Sequence, residues 1–244
     1  MPDVAVSPDE VVRYEVRDRV AHVTISNGKA NALSPAVVAG LDAALTRAED
    51  AGEEQVGALL IAGAPGMLSG GFDLAVMKSG AGAAGRLVTD GGALITRLFG
   101  SEIPVVIACS GHAVAAGALL LLGADARIGA RGAFRIGLIE TQLGMVLPRW
   151  AAELARERLS PRQLQFATVG AQMYDPDGAV SVGFLDGVVE PDALDASAAE
   201  EAGRWAALPR AAYRGQVRMN RGDVLGRLAD AITADRGRSF DVPA

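Results

Sequence analysis

The sequence has little cysteine, little histidine and few aromatic residues. Cys109 is the only cysteine among 244 residues, which excludes an intrachain disulfide and a zinc site built on cysteines. A chain without disulfides fits a reducing compartment, and we predict a cytoplasmic protein. Aromatic residues make up 5% of the chain and hydrophobic residues 50%, so we expect an aliphatic, alanine-rich core with closely packed helices.

Positive charge is also scarce. The net charge is −6 at pH 7 and nothing resembles a basic face, so we expect no nucleic-acid partner. Residues 1–16 contain early acids and no apolar stretch of signal-peptide length, so we expect no leader. The run 104–124 is uncharged and as long as a membrane span. Because Ser110-Gly111-His112 interrupts this run, we interpret it as a buried strand, a tight turn and a buried helix, with no membrane association.

Apolar periodicity predicts strands and helices in alternation as far as about residue 190. Residues 11–26 are typical of two strands, and the pair Ser34-Pro35 predicts the start of a helix that ends near Asp50. The continuous apolar run Val56–Ala62 is typical of a strand covered on both faces. Helical periodicity dominates after residue 190. We therefore predict an α/β fold with a parallel sheet, divided into a core domain (1–190) and a C-terminal helical segment (191–244).

Two segments rich in small residues are candidates for holding a ligand with main-chain amides. The segment Met67–Leu74 (MLSGGFDL) follows a buried strand, and its glycines allow close approach of the backbone to a ligand, although an ordinary glycine-containing loop is an equal alternative. The segment Ser110–Gly117 leads into a buried helix without a polar cap. The first amides of that helix lack intrahelical partners, and a developing oxyanion would supply an acceptor. Water or a neighbouring loop is the alternative acceptor.

Glu140 is a candidate general base. It lies among apolar residues just after a predicted strand (133–136), where a charge is costly unless it has a partner or a function. A carboxylate in such surroundings is suited to proton transfer. The alternative is an ordinary glutamate in a salt bridge.

In this order and spacing, the three segments resemble the motifs of the crotonase (enoyl-CoA hydratase/isomerase) family, over roughly residues 10–240. The resemblance implies oxyanion donors at the amides of Phe72 and Ala116 and a catalytic carboxylate at Glu140, which opens a Glu-X-X-X-Gly motif. It implies the crotonase (ClpP-like) spiral fold with a parallel-sheet ββα core and C-terminal helices that serve oligomerisation, here a homotrimer or homohexamer. It implies coenzyme A as part of an acyl-CoA thioester substrate, with no separate cofactor and no metal. The implied coenzyme A contacts are Lys29, Ala30, Ala32, Phe72, Asp73, Leu74, Ala75 and Ala116.

Three departures from the family pattern bear on the reaction. The second carboxylate of the family falls on Leu119, and a hydratase needs two carboxylates around one water. Moving a proton from C2 to C4 of an enoyl thioester needs only one, so we predict Δ3–Δ2 enoyl-CoA isomerisation with Glu140 as the single acid/base. Weak hydration of 2-enoyl-CoA and non-catalytic acyl-CoA binding are the alternatives. The pair Ala115-Ala116 replaces glycines, and Phe72 replaces a small residue, where its ring either shapes the acyl pocket or simply packs.

Other candidates are less well supported by their context. Residues 80–85 form a literal GxGxxG, but no apolar strand precedes them, so we interpret them as a flexible loop beside the acyl site and not as a dinucleotide site. Ser110 and His112 lack a neighbouring acid and are interpreted as structural. The arginines near the C-terminus are solvated, contact another subunit or attract the coenzyme A phosphates; they are Arg204, Arg210, Arg214, Arg218 and Arg221.

Overall fold

Two sheets carry the nine strands of the computed structural model, which describes residues 11–240. The predicted absence of an N-terminal leader falls largely on residues outside that range. The larger sheet has the order β1-β2-β3-β5-β7-β9, and the smaller sheet has the order β4-β6-β8. The strands are β1 (Val12–Arg17), β2 (Val20–Ile25), β3 (Ala58–Ala62), β4 (Gly66–Ser69), β5 (Val105–Cys109), β6 (Gly111–Val114), β7 (Ala126–Ala130), β8 (Ile136–Gly137) and β9 (Gly187–Val189).

Nine α-helices and two 3-10 turns connect these strands within residues 11–240. The helices are α1 (Pro35–Asp50), α2 (Leu74–Lys78), α3 (Ala81–Phe99), α4 (Ala116–Leu122), α5 (Arg149–Arg158), α6 (Leu164–Thr168), α7 (Pro176–Val182), α8 (Leu194–Ala206) and α9 (Arg210–Asp235); the 3-10 turns are Glu140–Leu143 and Pro191–Ala193. The predicted cap at Ser34 is present, since its side chain accepts a hydrogen bond from the Val37 amide. The predicted α/β fold is confirmed, with one antiparallel pair, β1 and β2, in an otherwise parallel larger sheet.

The larger sheet is covered on both faces, as its continuous apolar strands predict. Alternate residues of β3 show this, because Leu59 packs into the cluster that includes α1 and α3, whereas Leu60 packs against α8. The face of α8 toward the sheet consists mainly of alanines, which allows close approach. At Gly57, an added Cβ atom would lie 2.5 Å from the carbonyl oxygen of Ala206. The close packing expected from an alanine-rich core is therefore present.

The smaller sheet sets the direction of three loops. All of its strands are parallel: Gly66 of β4 pairs with Gly111 of β6, and Ala113 of β6 pairs with Ile136 of β8. The carboxyl ends of these strands therefore meet at one edge, and the segments that follow β4, β6 and β8 begin side by side.

One segment differs from the sequence-based expectation. Residues 80–85 were expected to form a flexible loop, but Gly80 is the N-cap of α3 and residues 81–85 are the first five residues of that helix. The alanines favour the helix, and the burial of Ala84, Leu87 and Val88 offsets the cost of the helical glycines, about 1 kcal/mol each. The conclusion that this GxGxxG is not a dinucleotide fingerprint is unaffected, because α2 and not a strand precedes it.

The uncharged run 104–124 begins with a buried strand and ends with a buried helix, as predicted, but the stretch expected to be a tight turn contains a further strand, β6 (Gly111–Val114), because it pairs with β4 and β8. It forms β5, β6 and α4, in which every residue of β5 and α4 is buried. In the part of the chain that the structure describes, no helix is long and apolar enough to cross a bilayer.

Helix α9 is joined to the larger sheet by Asp125, whose side chain is 1% exposed. Its carboxylate accepts hydrogen bonds from the Val105 amide at 2.8 Å and from the Tyr213 hydroxyl at 3.0 Å. It also pairs with the Arg221 guanidinium at 2.7 Å, which joins α9 to the start of β7. The division into a core domain (1–190) and a C-terminal oligomerisation segment (191–244) stays a prediction.

We expect Asp125→Ala to lower the free energy of unfolding by about 2–4 kcal/mol, because it removes the carboxylate partner of the half-buried Arg221 and the acceptor of the Val105 amide and the Tyr213 hydroxyl. Chemical denaturation measures this loss. Asp230→Ala, on the exposed face of α9, is the matched control and should change stability by less than about 0.5 kcal/mol. Equal effects of the two substitutions would show that Asp125 does not fasten α9.

Candidate active site

The three predicted catalytic positions follow the three strands of the smaller sheet. Phe72 comes shortly after β4, Ala116 is the first residue of α4 after β6, and Glu140 opens the 3-10 turn after β8. Since these parallel strands end at one edge, the structure places all three positions at the same edge.

The backbone around Phe72 is oriented by a parallel bridge to Leu33. The Leu33 amide donates to the Gly71 carbonyl at 2.8 Å, and the Asp73 amide donates to the Leu33 carbonyl at 3.3 Å. In such a bridge the residue between the two bonded peptides points its own N–H to the opposite side. The Phe72 amide therefore points away from Leu33, toward the side on which β4 pairs with β6.

The amide of Ala116 lies close to this loop. A Cβ atom added to Gly71 would lie 3.4 Å from the Ala116 nitrogen and 3.1 Å from the Ala115 methyl. Ala116 begins α4 without any side-chain cap. Within residues 11–240, the amides of Phe72 and Ala116 donate to no backbone carbonyl. Two free N–H donors on adjoining loops are an arrangement that stabilises a developing oxyanion.

Ala115, just before the second donor, has a backbone conformation that favours glycine. Its φ is 51° and its ψ is −121°. Its amide donates to the Gly137 carbonyl of β8 at 2.9 Å. This bond holds the turn after β6 against the end of β8. A non-glycine residue in such a conformation costs on the order of 1–3 kcal/mol. The turn therefore has the backbone geometry of a glycine at position 115, where the family resemblance implies glycine, although the residue here is alanine.

Glu140 is buried, with 8% of its surface exposed. Across the described residues its Oε2 atom has no hydrogen-bond partner, and the carboxylate forms no salt bridge. Burial raises the pKa of this carboxyl to about 7. Hydrogen bonds from the backbone amides of Glu140 itself and Ile139 act in the opposite direction and lower the pKa. The alternative of an ordinary salt-bridged glutamate does not hold. A carboxyl that titrates near neutral pH can both accept and return a proton.

Leu119 is the position at which the motif resemblance implies the second carboxylate. It is 1% exposed and belongs to the hydrophobic core. In the described part of the chain, no three His, Cys, Asp or Glu side chains are grouped to hold a metal ion.

The positions implied for coenzyme A contact lie on two loops that are bonded to each other. The Gly70 amide donates to the Ala30 carbonyl at 2.8 Å, which joins the first loop to the segment that carries Phe72. Lys29 and Ala30 are exposed and Ala32 is half-buried. On the second loop, Leu74 and Ala75 are exposed in the first turn of α2, and the Asp73 carboxylate caps that helix by accepting from the Ala75 amide at 2.8 Å. The structure thus brings these positions together beside the Phe72 donor.

The ring of Phe72 packs against helix α3 at a glycine. A Cβ atom added to Gly91 would lie 2.4 Å from this ring, and one added to Gly92 would lie 2.6 Å from the Trp150 ring. These contacts were not predicted from the sequence. The pair of glycines inside a helical pattern could have indicated them, because it marks the close approach of large groups.

Asn31 is a second residue whose structural role was missed. It is fully buried, with φ 46°, a conformation that asparagine tolerates better than most residues. Its side-chain amide donates to the carbonyls of Ile25 at 3.1 Å and Leu68 at 2.8 Å. It therefore fixes the loop that carries the coenzyme A positions against the end of β4.

The residues interpreted as structural bond to main-chain groups. The Ser110 hydroxyl donates to the Ala64 carbonyl, and His112 Nδ1 accepts from the Arg135 amide. Cys109 is buried and its thiol donates to the Gly111 carbonyl; burial raises the pKa of this thiol to about 12, so the reactive thiolate is disfavoured.

The C-terminal arginines are engaged within the chain. Arg210 donates to carbonyls of Glu49, Ala51 and Val56. The others pair with carboxylates: Arg204 with Glu201, Arg214 and Arg218 with Glu102, and Arg221 with Asp125.

Known proteins share this sequence and fold. The sequence profile of the enoyl-CoA hydratase/isomerase family matches residues 15–238. The mitochondrial enoyl-CoA delta isomerase 1 of Homo sapiens is 31% identical over 221 residues, which cover 88% of this chain and 72% of that protein. A crystal structure of an enoyl-CoA hydratase/isomerase family protein from Pseudomonas syringae is 41% identical, with a TM-score of 0.90 over 94% of this chain and 98% of that one. The human mitochondrial delta3-delta2-enoyl-CoA isomerase structure is 27% identical, with a TM-score of 0.86 over 92% of this chain and 88% of that one.

The fold is therefore the crotonase fold, an α/β architecture with a mostly parallel sheet and C-terminal helices. The chain belongs to the enoyl-CoA hydratase/isomerase family. The predicted family, fold class and enzyme class are confirmed.

We expect Ala115→Gly to raise the free energy of unfolding by about 1 kcal/mol, because relief of the positive-φ strain exceeds the entropy that glycine adds to the unfolded chain. Thermal and chemical denaturation measure the change. Ala118→Gly, at a buried position of α4, is the matched control and should lower stability by about 1 kcal/mol or more. A loss at position 115 as large as that at position 118 would contradict the strain.

Proposed function

We propose that this protein catalyses Δ3–Δ2 isomerisation of fatty enoyl-CoA thioesters, with Glu140 as the single acid/base. The observation that carries the proposal is one buried, unpaired carboxylate at the same sheet edge as two free amide donors, with leucine at the place of the second carboxylate. A single carboxylate is sufficient for a proton shift and insufficient for the two-carboxylate mechanism of a hydratase.

In the proposed reaction the thioester oxygen accepts hydrogen bonds from the amides of Phe72 and Ala116. The Glu140 carboxylate removes a proton from C2, and the electrons of the broken C–H bond form a dienolate whose negative charge rests largely on that oxygen. The protonated Glu140 then returns its proton to C4, and the double bond moves from C3–C4 to C2–C3. Each oxyanion donor contributes a factor of about 10²–10³ in rate.

The names of three curated relatives support the isomerase. The human, mouse and rat relatives are each named enoyl-CoA delta isomerase 1. A Mycobacterium tuberculosis structure described as an enoyl-CoA isomerase is 34% identical, with a TM-score of 0.87 over 93% of this chain and 97% of that one. Another structure from that organism, described as a probable enoyl-CoA hydratase, is 35% identical, with a TM-score of 0.86 over 92% of this chain and 94% of that one.

Coenzyme A is proposed to enter as part of the substrate, with no separate cofactor. The exposed Lys29 ammonium and the loop backbone at Ala30 and Ala32 would contact it on one side, with Asp73, Leu74 and Ala75 on the other. A homotrimer or homohexamer is the proposed assembly, and a cytoplasmic location stays a prediction.

Two other functions are distinguishable by simple assays. Hydration of crotonyl-CoA at high enzyme concentration would favour a weak hydratase in which another group holds the water. Calorimetric binding of acyl-CoA without turnover of any enoyl-CoA would favour a non-catalytic binding protein. Leu119 argues against the first, and the cost of burying the unpaired Glu140 carboxyl argues against the second.

We expect Glu140→Ala to lower the turnover of 3-enoyl-CoA by about 10²–10⁴-fold, the usual contribution of a general acid/base. Formation of the conjugated 2-enoyl thioester is followed by absorbance and mass. Glu54→Ala, at an exposed position, is the control and should leave turnover unchanged. Turnover of the Glu140 variant equal to that of the wild type would remove this residue as the base.

We expect kcat/KM to fall as the pH drops below about 7, because burial raises the pKa of Glu140 from 4.5 to about 7 and only the ionised form removes the C2 proton. Initial rates across the pH range give the midpoint, and circular dichroism at each pH confirms that the protein stays folded. A rate independent of pH down to the ordinary glutamate pKa would contradict a buried carboxylate base.

A further inference from the structure

Asp235 occupies an unfavourable place for an acid. It is fully buried, and it is the last residue of α9, where the helix dipole carries partial negative charge. A buried charge at this end of a helix is costly unless other groups compensate it. The compensating groups lie on two other segments of the chain.

Two of the described residues donate hydrogen bonds to the Asp235 carboxylate. Arg238 donates to Oδ1 at 2.6 Å, and the Trp150 amide donates to Oδ2 at 3.4 Å. Trp150 is the second residue of α5, whose N-cap position is Pro148, a residue without a side-chain cap. The second amide of a helix is one that a capping carboxylate satisfies. Asp235 thus caps α5 from α9, and α9 packs more extensively on α5 than on any other described element.

The start of α5 is also one end of the segment that carries Glu140. The other end is held where the Gly137 carbonyl accepts from the Ala115 amide at 2.9 Å. Between these ends, the Met145 amide donates to the Glu140 carbonyl at 2.8 Å. Next to Glu140, Thr141 and Gln142 also donate to the carbonyls of Thr168 and Ala171. The attachment to Asp235 is therefore one of several that set the position of Glu140, and it is the one at the C-terminal end of the segment.

Trp150 also connects this attachment to the first oxyanion donor. Its ring packs on Gly92 of α3, and the ring of Phe72 packs on the preceding residue, Gly91. A shift of Trp150 would disturb the part of α3 on which Phe72 is seated. Trp150 is thus linked to Glu140 along the chain and to Phe72 through α3, and its amide donates to Asp235.

We propose that Asp235 is a positioning residue of the active site, which holds the start of α5 so that Glu140 and the Phe72 amide keep their places at the edge of the smaller sheet. The inference rests on the proposed isomerase function. It assigns to the last turn of α9 a role in the reaction, in addition to any role of the C-terminal helices in assembly.

The test compares Asp235→Asn and Asp235→Ala with Asp230→Asn, at an exposed position of the same helix, in the full-length protein. In both Asp235 variants we expect kcat to fall by about 10-fold to 10²-fold, since a displacement of about 1 Å has effects of this size, with a smaller change in KM. The pH midpoint of the rate should move down from about 7, because a displaced Glu140 gains water. The Asp230 variant should match the wild type.

A purely structural role would lower thermal stability alone. If the folded fraction of both Asp235 variants keeps the wild-type kcat and pH midpoint, the proposal is wrong. Asp235→Asn keeps the size of the side chain and is the informative variant should Asp235→Ala fail to fold.

Carbon NMR of the Glu140 carboxyl separates this proposal from the proposed function. The titration midpoint is read in the wild type and in Asp235→Asn, with Glu140→Gln to assign the signal, and needs no turnover. A lower midpoint in the Asp235 variant supports the positioning role even if the wild type turns over no 3-enoyl-CoA. Absence of turnover in the wild type would contradict the isomerase proposal and not the positioning role. An unchanged midpoint overturns the positioning role.

Discussion

The parallel pairing of β4, β6 and β8 is the constraint on which the site depends. Each strand is short, and none of the segments that follow would bring a donor or a base near another by itself. Pairing in one direction makes the strands end at one edge, so that the Phe72 loop, the Ala116 turn and the Glu140 turn begin together. The bridge to Leu33 then directs the Phe72 amide toward β6, and the Ala115 amide joins the second strand's end to the third. The chemistry follows from this backbone arrangement more than from any side chain except Glu140.

Two costs in free energy are concentrated at this edge. Ala115 is held in a backbone conformation that favours glycine, and Glu140 is buried with its Oε2 atom unbonded among the described residues. Burial favours the neutral form of Glu140, which raises its pKa to about 7 and suits the proton transfer proposed for it. The surrounding core is aliphatic and closely packed, with Leu119 where a second carboxylate would hold a water. The same packing that makes the site costly therefore also limits the reactions that it can perform.

Much of this arrangement could be predicted from the sequence, for identifiable reasons. The apolar runs at β3 and β5 and the cap at Ser34 are local signals, and they predict the elements that form. The positions Phe72, Ala116 and Glu140 were predicted through motif resemblance. The start of α3 was not, because glycine and alanine in residues 80–85 give no amphipathic pattern, and the burial of Ala84 that stabilises the helix depends on tertiary packing. The contacts of Phe72 with Gly91 and of Trp150 with Asp235 join residues far apart in the sequence, and no local pattern contains them.

A crystal structure with a bound acyl-CoA thioester that lacks a reactive double bond tests the central claim most directly. The account predicts a thioester oxygen about 2.7–3.1 Å from the nitrogens of both Phe72 and Ala116, with the Glu140 carboxylate facing C2. A thioester bound elsewhere, or a Glu140 side chain turned into solvent and away from those two nitrogens, would contradict it.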